Sequence, residues 1–347
     1  MAGRKIKVTD VARTAGVSAS TVDRVLNNRF GVKPETTKRV EEAMATLGYA
    51  SNSLAARMAP PIHGIDVVLP KGTNSFFALL REEIERQAKR LSEFGTRIRI
   101  SETDVFDTSS IMAFLRAYQP LAGRTLVIVA TDAPEVRQEI DALTKQGVTV
   151  VTLVSDNARS RRNAFIGIDN FAAGRTAGAL MARALGPRTG QIGILVGHLA
   201  LRDHLDRRSG FEQVMADLKP DCEIRLLGAS RDDGEVAATL TRAAVQKHAD
   251  FVGIYNTGGG NEGLFRALRP LTAKIRPAVI CHELTPATRQ ALFDGTCDAL
   301  ITRDISELAR RALDAATGTL LGLQFADADA HMNIGIMIKE NLPWAAA

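Results

Sequence analysis

The chain has 347 residues, 45% hydrophobic and 24% charged, and its 44 Lys and Arg against 39 Asp and Glu give a formal net charge of +5. This composition is that of a globular protein of two or three domains, and no apolar stretch approaches the ~18 residues that a membrane span needs. The start lacks the apolar core of a signal peptide, and three widely spaced cysteines predict neither a disulfide framework nor a zinc cluster. We therefore expect a cytoplasmic protein.

The positive charge is concentrated at the start of the chain. Residues 1–60 contain 10 Lys or Arg against 5 Asp or Glu, whereas the rest of the chain contains 34 of each. A basic module on a neutral body is typical of a protein that contacts a polyanion through one small domain. An exposed basic tail would give the same composition, so the residue pattern must decide between the two.

Two short amphipathic helices are predicted in this basic segment. Thr9 is a capping residue followed by an acid and an apolar stripe, and Gly16 can end the first helix in a left-handed conformation. Ser18 can cap a second helix, SASTVDRVLN, whose apolar side includes Val22 and Val25. Small and polar residues occupy its other faces.

A third helix is predicted to begin near Pro34, a residue favoured at the first helical position, and to end at Gly48. Two short helices joined by a Gly turn and covered by a third describe a helix-turn-helix, although any small three-helix bundle gives similar periodicity. The second helix favours DNA binding, because its small and hydrogen-bonding residues let the backbone enter a major groove. Arg24 in this helix suits guanine O6 and N7.

The segment VTDVARTAGVSASTVDRVLNNRFGVKPETTKRVEEAMATLGYASNSLAARMA resembles, over its whole length, the DNA-binding head of lac repressor-type (LacI-family) regulators. The resemblance implies that three residues read bases in the major groove: Ala19, Ser20 and Arg24. It implies phosphate or backbone contacts for five others: Thr9, Ser18, Thr21, Asn27 and Lys33. Asp23 departs from the small hydroxyl residue usual at its position, and its role stays open, because an acid near phosphates costs affinity unless it pairs with a neighbour.

Residues 51–61 are predicted to be a hinge and linker. The segment NSLAARMA favours a helix too short to be stable alone in water, which is also true of an ordinary linker. In the resembled family this hinge helix orders on operator DNA, and two copies insert an apolar side chain into the minor groove. Met58 stands where that side chain is usually leucine, with Asn52 and Ala55 at neighbouring contact positions, and methionine suits such a wedge. Pro60-Pro61 then prevents helical continuation.

From residue 62 onward, short apolar runs alternate with amphipathic stretches. Ten runs are candidate strands: GIDVVL, TRIRI, LVIVA, VTVVTL, AFIGI, QIGILV, EIRLLG, DFVGIY, PAVIC and ALITR. Their alternation with helix-like segments is typical of parallel sheets with helices on both faces. Residues 62–347 are too many for one such sheet, so we predict an α/β body of two doubly wound parallel-sheet lobes after an all-α helix-turn-helix domain at 1–50.

The loops that follow these strands are rich in carboxylates, Asn and Arg. Such groups hold adjacent hydroxyls by paired hydrogen bonds, and an aromatic face can cover a sugar ring. Surface loops and helix caps favour the same residues. Several such loops at equivalent strand ends favour a shared cleft.

Roughly residues 62–325 resemble the type I periplasmic sugar-binding fold, which also forms the effector domains of LacI-type regulators, with the best local matches at NSFF, GIDN, DRRSGF, YN and HE. The resemblance implies an effector site between two lobes, formed by Asn74, Phe76, Phe77, Asp132, Asp156, Asp169, Arg207, Asn256, Glu283 and Arg303. Glu283 replaces a usual aspartate, and Arg303 stands where a neutral amide is often found. A ligand bearing a carboxylate, phosphate or amine would explain these changes, and so would pairing of Glu283 with Arg303.

Three patterns suggest an enzyme or a metal site, and none is complete. His282-Glu283 would open the zinc motif HExxH, but Pro286 occupies the second histidine position, and GGGNEG lacks the Lys-Ser/Thr of a phosphate-binding loop. One polar loop and helix start offers four conceivable metal ligands: His198, Asp203, His204 and Asp206. We predict no catalytic residues, no metal and no cofactor.

The whole sequence predicts a transcriptional repressor that binds pseudopalindromic double-stranded DNA as a homodimer and is controlled by a sugar or polyol effector. A purine, sugar acid or amine is the alternative effector, and a solute receptor or a sugar-modifying enzyme is the alternative outside this class. The residues after Leu320 have no heptad repeat, so a coiled-coil tetramerisation helix is not expected.

Overall fold

The structure is a computed structural model that describes residues 8–26, 32–47, 63–93, 95–119, 124–247, 251–270, 276–320 and 331–342. Contacts divide the chain into two compact units, Met1–His63 with Ala88–Arg97 and Gly64–Gln87 with Ile98–Ala347. No helix in the described ranges is both long and apolar enough to cross a membrane. The predicted hinge at 51–61 lies outside the described residues.

The head has three described helices, α1 (Val8–Ala15), α2 (Ala19–Leu26) and α3 (Pro34–Leu47). Gly16 takes φ +64° after α1, as predicted for a glycine that ends a helix. The predicted start of α3 at Pro34 is confirmed. The predicted start of α1 is too late: Thr9, expected to cap the helix, lies inside it, because Val8 already belongs to the helix and packs, partly buried, against the apolar core. That core consists of Val11, Ala12, Ala15, Val22, Val40 and Ala43.

The body alternates strands and helices, as predicted. Its strands are β1 (His63–Pro70), β2 (Thr96–Thr103), β3 (Arg124–Ile128), β4 (Thr149–Leu153), β5 (Ala164–Ile168), β6 (Gln191–Val196), β7 (Glu223–Ala229), β8 (Phe251–Asn256), β9 (Ala278–His282), β10 (Ala299–Thr302), β11 (His331–Met332) and β12 (Gly335–Met337). Its helices are α4 (Ser75–Ser92), α5 (Thr108–Ala117), α6 (Pro134–Lys145), α7 (Asn170–Leu185), α8 (Arg202–Leu218), α9 (Gly234–Lys247), α10 (Asn261–Leu268), α11 (Pro286–Phe293) and α12 (Ile305–Leu320). Each of the ten predicted strands corresponds to one of β1–β10, whereas β11 and β12 are too short to show a pattern.

The strands form two six-stranded sheets. The sheet of the first lobe has the order β11-β5-β4-β3-β1-β2, and that of the second lobe has the order β12-β10-β9-β8-β6-β7. Strand pairs such as β1–β3 and β8–β9 are parallel, whereas β12 runs antiparallel to β10. β5 and β6 are buried along their whole length, which explains why they read as unbroken apolar runs.

Three described connections pass between the lobes. The first joins β5 to α7, which packs on β8, β9 and β10, and the second joins β10 to α12, which packs on β3, β4 and β5. The third joins β11 in the first sheet to β12 in the second. The prediction of two doubly wound parallel-sheet lobes is therefore confirmed, and their strand ends border a common cleft.

Candidate functional site

The predicted DNA-contact residues of the head are mostly exposed where the structure describes them. Six are exposed: Thr9, Ser18, Ala19, Ser20, Arg24 and Lys33. Thr21 is half-buried, and Asp23 is exposed. Four predicted contact residues lie outside the described residues: Asn27, Asn52, Ala55 and Met58.

Hydrogen bonds fix both sides of the turn before α2. The Ser18 hydroxyl accepts from the Thr21 N–H at 3.1 Å, so Ser18 caps α2 as predicted. From α3, Arg39 Nη2 donates to the carbonyl oxygens of Ala15 at 2.6 Å and Gly16 at 3.3 Å. These bonds satisfy carbonyls at the end of α1 that have no partner within the helix. Sequence reasoning missed Arg39 because its partners lie 24 and 23 residues away.

A cavity of about 490 Å³, counted as space free of protein atoms with its open mouth included, lies where strands of both lobes end. From the first lobe, it is lined by Asn74, Phe76 and Phe77 after β1 and by Val154 and Ser155 after β4. The second lobe contributes mainly polar residues: Asp203, His204, Arg207, Asp232, His282, Glu283 and Arg303. Carboxyl ends of parallel strands are the usual place for ligands in such sheets.

Four charged residues form a buried charge cluster in the wall of this cavity: Asp203, Arg207, Glu283 and Arg303. They are 4%, 2%, 8% and 5% exposed, respectively. Arg303 donates to Glu283 Oε1 through Nε at 3.1 Å and also through Nη2. Arg207 Nη2 lies 3.7 Å from the same oxygen. Pairing of Glu283 with Arg303, one of the two explanations of these residues, is thus present.

Packing of α7 against α8 holds Arg207 in place. Its Nε donates to Asn170 Oδ1 at 2.9 Å, and its Nη1 donates to the Thr257 carbonyl at 2.8 Å. Gly174 makes this close approach possible, because a Cβ there would lie 2.0 Å from the Arg207 carbonyl oxygen. The side chain therefore reaches the cavity from a tightly packed helix pair.

Four residues that line the cavity carry a buried polar atom without a hydrogen-bond partner in the described part of the chain. These atoms are Arg207 Nη2, His282 Nδ1, Glu283 Oε2 and Arg303 Nη1. Leaving such a group unpaired costs about 1–3 kcal/mol, and buried polar groups in proteins are almost always satisfied by protein, water or ligand. Four of them around one cavity indicate a site for a polar ligand.

Burial and neighbouring groups set the protonation of two cavity residues. Burial raises the pKa of Asp203, but the charges of His204 and Arg207, a side-chain hydrogen bond from Ser155 and the charge of Arg303 together hold that pKa below its usual value. Burial, followed by the charge of Arg207, lowers the pKa of His282 well below its usual range. His282 is therefore neutral at neutral pH, and its Nε2 lies 2.7 Å from the Tyr255 hydroxyl.

Two residues at the cavity have a left-handed backbone. Val154 has φ +66° and Glu283 has φ +67°, a region that non-glycine residues seldom adopt. The Glu283 N–H donates to the Ile301 carbonyl at 2.9 Å, which holds this backbone beside β10. Strain of this kind concentrates at ligand sites.

Two predicted hydroxyl acceptors, Asp132 and Asp156, do not line the cavity. Asp132 follows β3 and meets Arg202 of the second lobe, with 3.2 Å between Oδ2 and Nη1, so it joins the lobes beside the cavity. Asp156 accepts from Arg162 Nη2 at 2.7 Å and from Thr152 Oγ1 at 2.6 Å. The Asp156 carboxylate therefore forms hydrogen bonds within the first lobe and does not face the cavity.

Asp169 and Asn256 also lie outside the cavity wall. Asp169 caps α7 by accepting from the Ala172 N–H at 2.9 Å. Asn256 Nδ2 donates to the Gly259 carbonyl at 2.9 Å and to Asn261 Oδ1 at 2.8 Å. It thereby orders a loop whose glycines line the cavity. Asn74, Phe76, Phe77, Arg207, Glu283 and Arg303 are the predicted residues that the structure brings together there.

The cavity also contains residues that the sequence did not single out as ligand contacts. Asp203 stands one helical turn before Arg207 on α8, and this four-residue spacing is the signal that could have found it. Ser155 is adjacent to Asp156, so the sequence pointed to the correct loop, but the side chain that lines the cavity is Ser155 and not Asp156. The described side chains include no group of three or more His, Cys, Asp or Glu that could hold a metal ion.

Two family models match separate parts of the chain. The family model for the periplasmic binding protein domain matches residues 65–323. The model for bacterial regulatory proteins of the lacI family matches residues 7–52.

Individual relatives match in part. Catabolite control protein A of Priestia megaterium is 41% identical over 81 residues, 23% of this chain and 24% of that protein. The sucrose operon repressor of Lactococcus lactis subsp. lactis is 35% identical over 115 residues, 33% of this chain and 36% of that protein. The chain thus spans about a quarter to a third of these relatives in the matched regions.

A solved structure matches the body. The glucose-galactose binding protein GanP from Geobacillus stearothermophilus superposes with a TM-score of 0.72 at 20% identity, covering 81% of this chain and 99% of that one. The body therefore has the type I periplasmic binding protein fold. The chain belongs to the periplasmic binding protein domain family through residues 65–323, and its residues 7–52 match the DNA-binding head of the lacI family of bacterial regulatory proteins.

Proposed function

We propose that this protein is a sequence-specific DNA-binding transcriptional repressor whose operator affinity is controlled by a sugar-like effector bound in the cavity. It acts in the cytoplasm as a homodimer, without a metal, a cofactor or catalysis. The observation that carries the effector role is the set of four unpaired polar atoms at the cavity. Hydroxyls satisfy such a mixture of donors and acceptors, because each hydroxyl both donates and accepts.

The head supplies the DNA contacts in this proposal. Exposed Ala19, Ser20 and Arg24 on α2 enter the major groove and read bases. Ser18 and the other predicted contact residues of the head bind the phosphate backbone of the DNA. Two copies of α2 in a dimer would read the two halves of a pseudopalindrome. Paired hinge segments would insert Met58 at the centre.

Effector binding would act through lobe closure. Residues of both lobes line the cavity, so a ligand held between them stabilises one relative position of the lobes. DNA affinity changes if the operator-bound dimer favours another position. Names of relatives such as the sucrose operon repressor support both repression and a sugar effector.

Fluorescence anisotropy tests the DNA-binding role directly. The probe is a labelled palindromic fragment from upstream of the protein's own gene, and the competitor is the same fragment with one half-site scrambled. We expect specific binding at physiological salt that weakens steeply as salt is added, because phosphate contacts release counterions. Equal affinity for both fragments, with and without sugars, would refute the proposal.

A further inference from the structure

A buried tyrosine stands behind one of the four unpaired polar atoms of the cavity wall. The Tyr255 hydroxyl lies 2.7 Å from His282 Nε2, and the other ring nitrogen of this histidine, Nδ1, has no hydrogen-bond partner in the described part of the chain. We propose that Tyr255 is a positioning residue of the effector site: its hydroxyl donates to His282 Nε2 and thereby makes Nδ1 an N–H donor toward the ligand. The part that concerns the ligand rests on the proposed function.

The second sheet and α8 hold the two rings in place. Tyr255 on β8 pairs in register with Ile280 on β9, so His282, two residues further along β9, lies diagonally opposite on the same face of the sheet. Phe211 from α8 stacks on Tyr255, with 4.4 Å between the ring centroids and 18° between the ring planes. Asn261 Nδ2 donates to the His282 carbonyl at 3.2 Å. Tyr255 and His282 are 0% and 1% exposed, so this contact belongs to the packed interior of the lobe.

The direction of the hydrogen bond follows from the hydroxyl proton. Burial raises the pKa of Tyr255, so its hydroxyl keeps this proton at neutral pH. Among the described residues, His282 Nε2 is the one hydrogen-bond partner of that hydroxyl. If Nε2 carried a proton and donated it to the tyrosine oxygen, the buried O–H would have no acceptor, and such unsatisfied donors are rare in folded proteins. The tyrosine therefore donates, and Nε2 accepts.

The tautomer of His282 follows from this direction. The ring is neutral, because burial and the positive charge of Arg207 lower its pKa well below the usual range. A neutral imidazole carries a proton on one of its two nitrogens. With Nε2 as the acceptor, that proton is on Nδ1. Since His282 lines the cavity, the Nδ1–H group is a donor available to a ligand there.

This tautomer sets the balance of donors and acceptors in the cavity wall. Arg207 Nη2 and Arg303 Nη1 are donors, Glu283 Oε2 is an acceptor, and Nδ1–H of His282 becomes a third donor. The ligand must therefore place an acceptor at His282, whereas the opposite tautomer would require a donor from the ligand. Tyr255 does not line the cavity, yet its hydroxyl determines which kind of group is recognised at this position.

Nitrogen-15 NMR of the imidazole ring reads the tautomer directly. Full-length protein is produced with histidine labelled at Nδ1 alone, and its magic-angle-spinning spectrum is compared with that of His282→Asn, which identifies the signal among the six histidines. Protonated and unprotonated ring nitrogens resonate in separate ranges. We expect the His282 Nδ1 signal of the ligand-free wild-type protein, at neutral pH, in the protonated range. A signal in the unprotonated range overturns the inference.

Two matched variants test the role of the tyrosine. Tyr255→Phe removes the hydroxyl and keeps the ring that stacks on Phe211, so Nε2 loses its donor and the proton can occupy either nitrogen. We expect an unprotonated Nδ1 signal of His282 to appear in this variant. Tyr118→Phe is the control, because it removes another buried tyrosine hydroxyl, which donates to Asp66 in the first lobe at 2.8 Å, and it should leave His282 unchanged. A fully protonated Nδ1 in Tyr255→Phe, or the same change in Tyr118→Phe, overturns the role of Tyr255.

The same labelled protein tests the contact with the ligand. Calorimetry first ranks D-glucose, D-galactose and D-ribose, and the tightest of these sugars is added to saturation. We expect the His282 Nδ1 signal to move and to stay in the protonated range. Tyr255→Phe should weaken binding of that sugar ~2-fold or more, because only a fraction of its molecules then holds the competent tautomer. A signal that does not move, or that leaves the protonated range, overturns the donor role.

The two proposals fail separately. If no sugar binds, the sugar-effector proposal fails and the ligand contact fails with it, whereas the spectrum of the free protein still decides the tautomer. If the wild-type Nδ1 is unprotonated, this inference fails, and sugar binding in calorimetry is unaffected. The wild-type spectrum also decides the tautomer if Tyr255→Phe does not fold.

Discussion

Replacing Gly174 by alanine tests whether helix packing positions the effector site. The added Cβ would lie 2.0 Å from the carbonyl oxygen and 2.7 Å from the carbonyl carbon of Arg207, whereas nonbonded heavy atoms normally stay about 3.5 Å apart. Both partners are helix backbone, so α8 must move by more than an ångström. Overpacking of this kind costs about 1–3 kcal/mol, and occasionally more.

Helix propensity opposes this cost, so the sign of the change in the free energy of unfolding shows which effect is larger. Gly to Ala in a helix interior gains about 1 kcal/mol, so packing must exceed that gain to destabilise the protein. We expect Gly174→Ala to lower the free energy of unfolding by ~2 kcal/mol, as the upper end of the overpacking range less the propensity gain. It should also weaken effector binding, because Arg207 moves with α8.

Gly178→Ala is the matched control. It lies in the same helix and gains the same propensity, but its Cβ would meet the Phe211 carbonyl oxygen and Val214 Cβ at 3.0 Å. Urea denaturation followed by circular dichroism compares the variants, and calorimetry measures effector affinity. The packing argument is refuted if Gly174→Ala stabilises the protein or costs no more than Gly178→Ala.

Three further predictions concern the lobes, the pH dependence and the head. Asp132→Asn breaks the ion pair with Arg202 between the lobes. It should weaken effector binding ~2-fold, since a partly exposed ion pair is worth about 0.2–1 kcal/mol. A double-mutant cycle with Arg202→Ala, measured by calorimetry, must show that the two substitutions are not additive in their effect on effector affinity. The pKa of His282 lies well below its usual value, so only the unfolded state gains its proton as pH falls below ~6.5, and stability should drop by about 1.4 kcal/mol from pH 7.5 to 5.5. His282→Asn should flatten that part of the stability profile in urea titrations, and an unchanged profile would contradict the assignment. Arg24→Ala should cost about 1–3 kcal/mol and relax preference at one operator base pair in anisotropy assays, whereas Arg13→Ala on α1 removes the same charge without altering base preference; uniform loss at all sequences would mean that Arg24 contacts phosphate alone.

The parts of this fold that follow from local chemistry were predictable. Gly16 and Ser18 mark the end of α1 and the start of α2, and apolar runs identify inner strands such as β5 and β6 because buried parallel strands are apolar on both faces. The edge strands β2 and β7 are partly exposed and carry a weaker pattern. β11 and β12 have two and three residues, too few to display a period. They join their sheets through tertiary pairing alone.

The site was predictable to the level of strand ends, but not to the level of individual carboxylates. Any acid after a strand is a candidate acceptor, and what decides its role is the cation that the fold brings near it. Asp132 meets Arg202, 70 residues away, and Asp156 meets Arg162. Glu283 and Arg303, by contrast, stand beside the ends of adjacent strands β9 and β10, and their pairing was among the expectations.

The central claim is that one ligand in the body and one operator at the head control each other. The direct measurement is effector affinity by calorimetry, with and without saturating operator fragment, alongside operator affinity by anisotropy with and without saturating effector. Linkage requires the two ratios to be equal, and we predict a common factor of ~10-fold or more, within the usual range of coupling energies. Effector affinity that is the same on free and operator-bound protein would contradict the account.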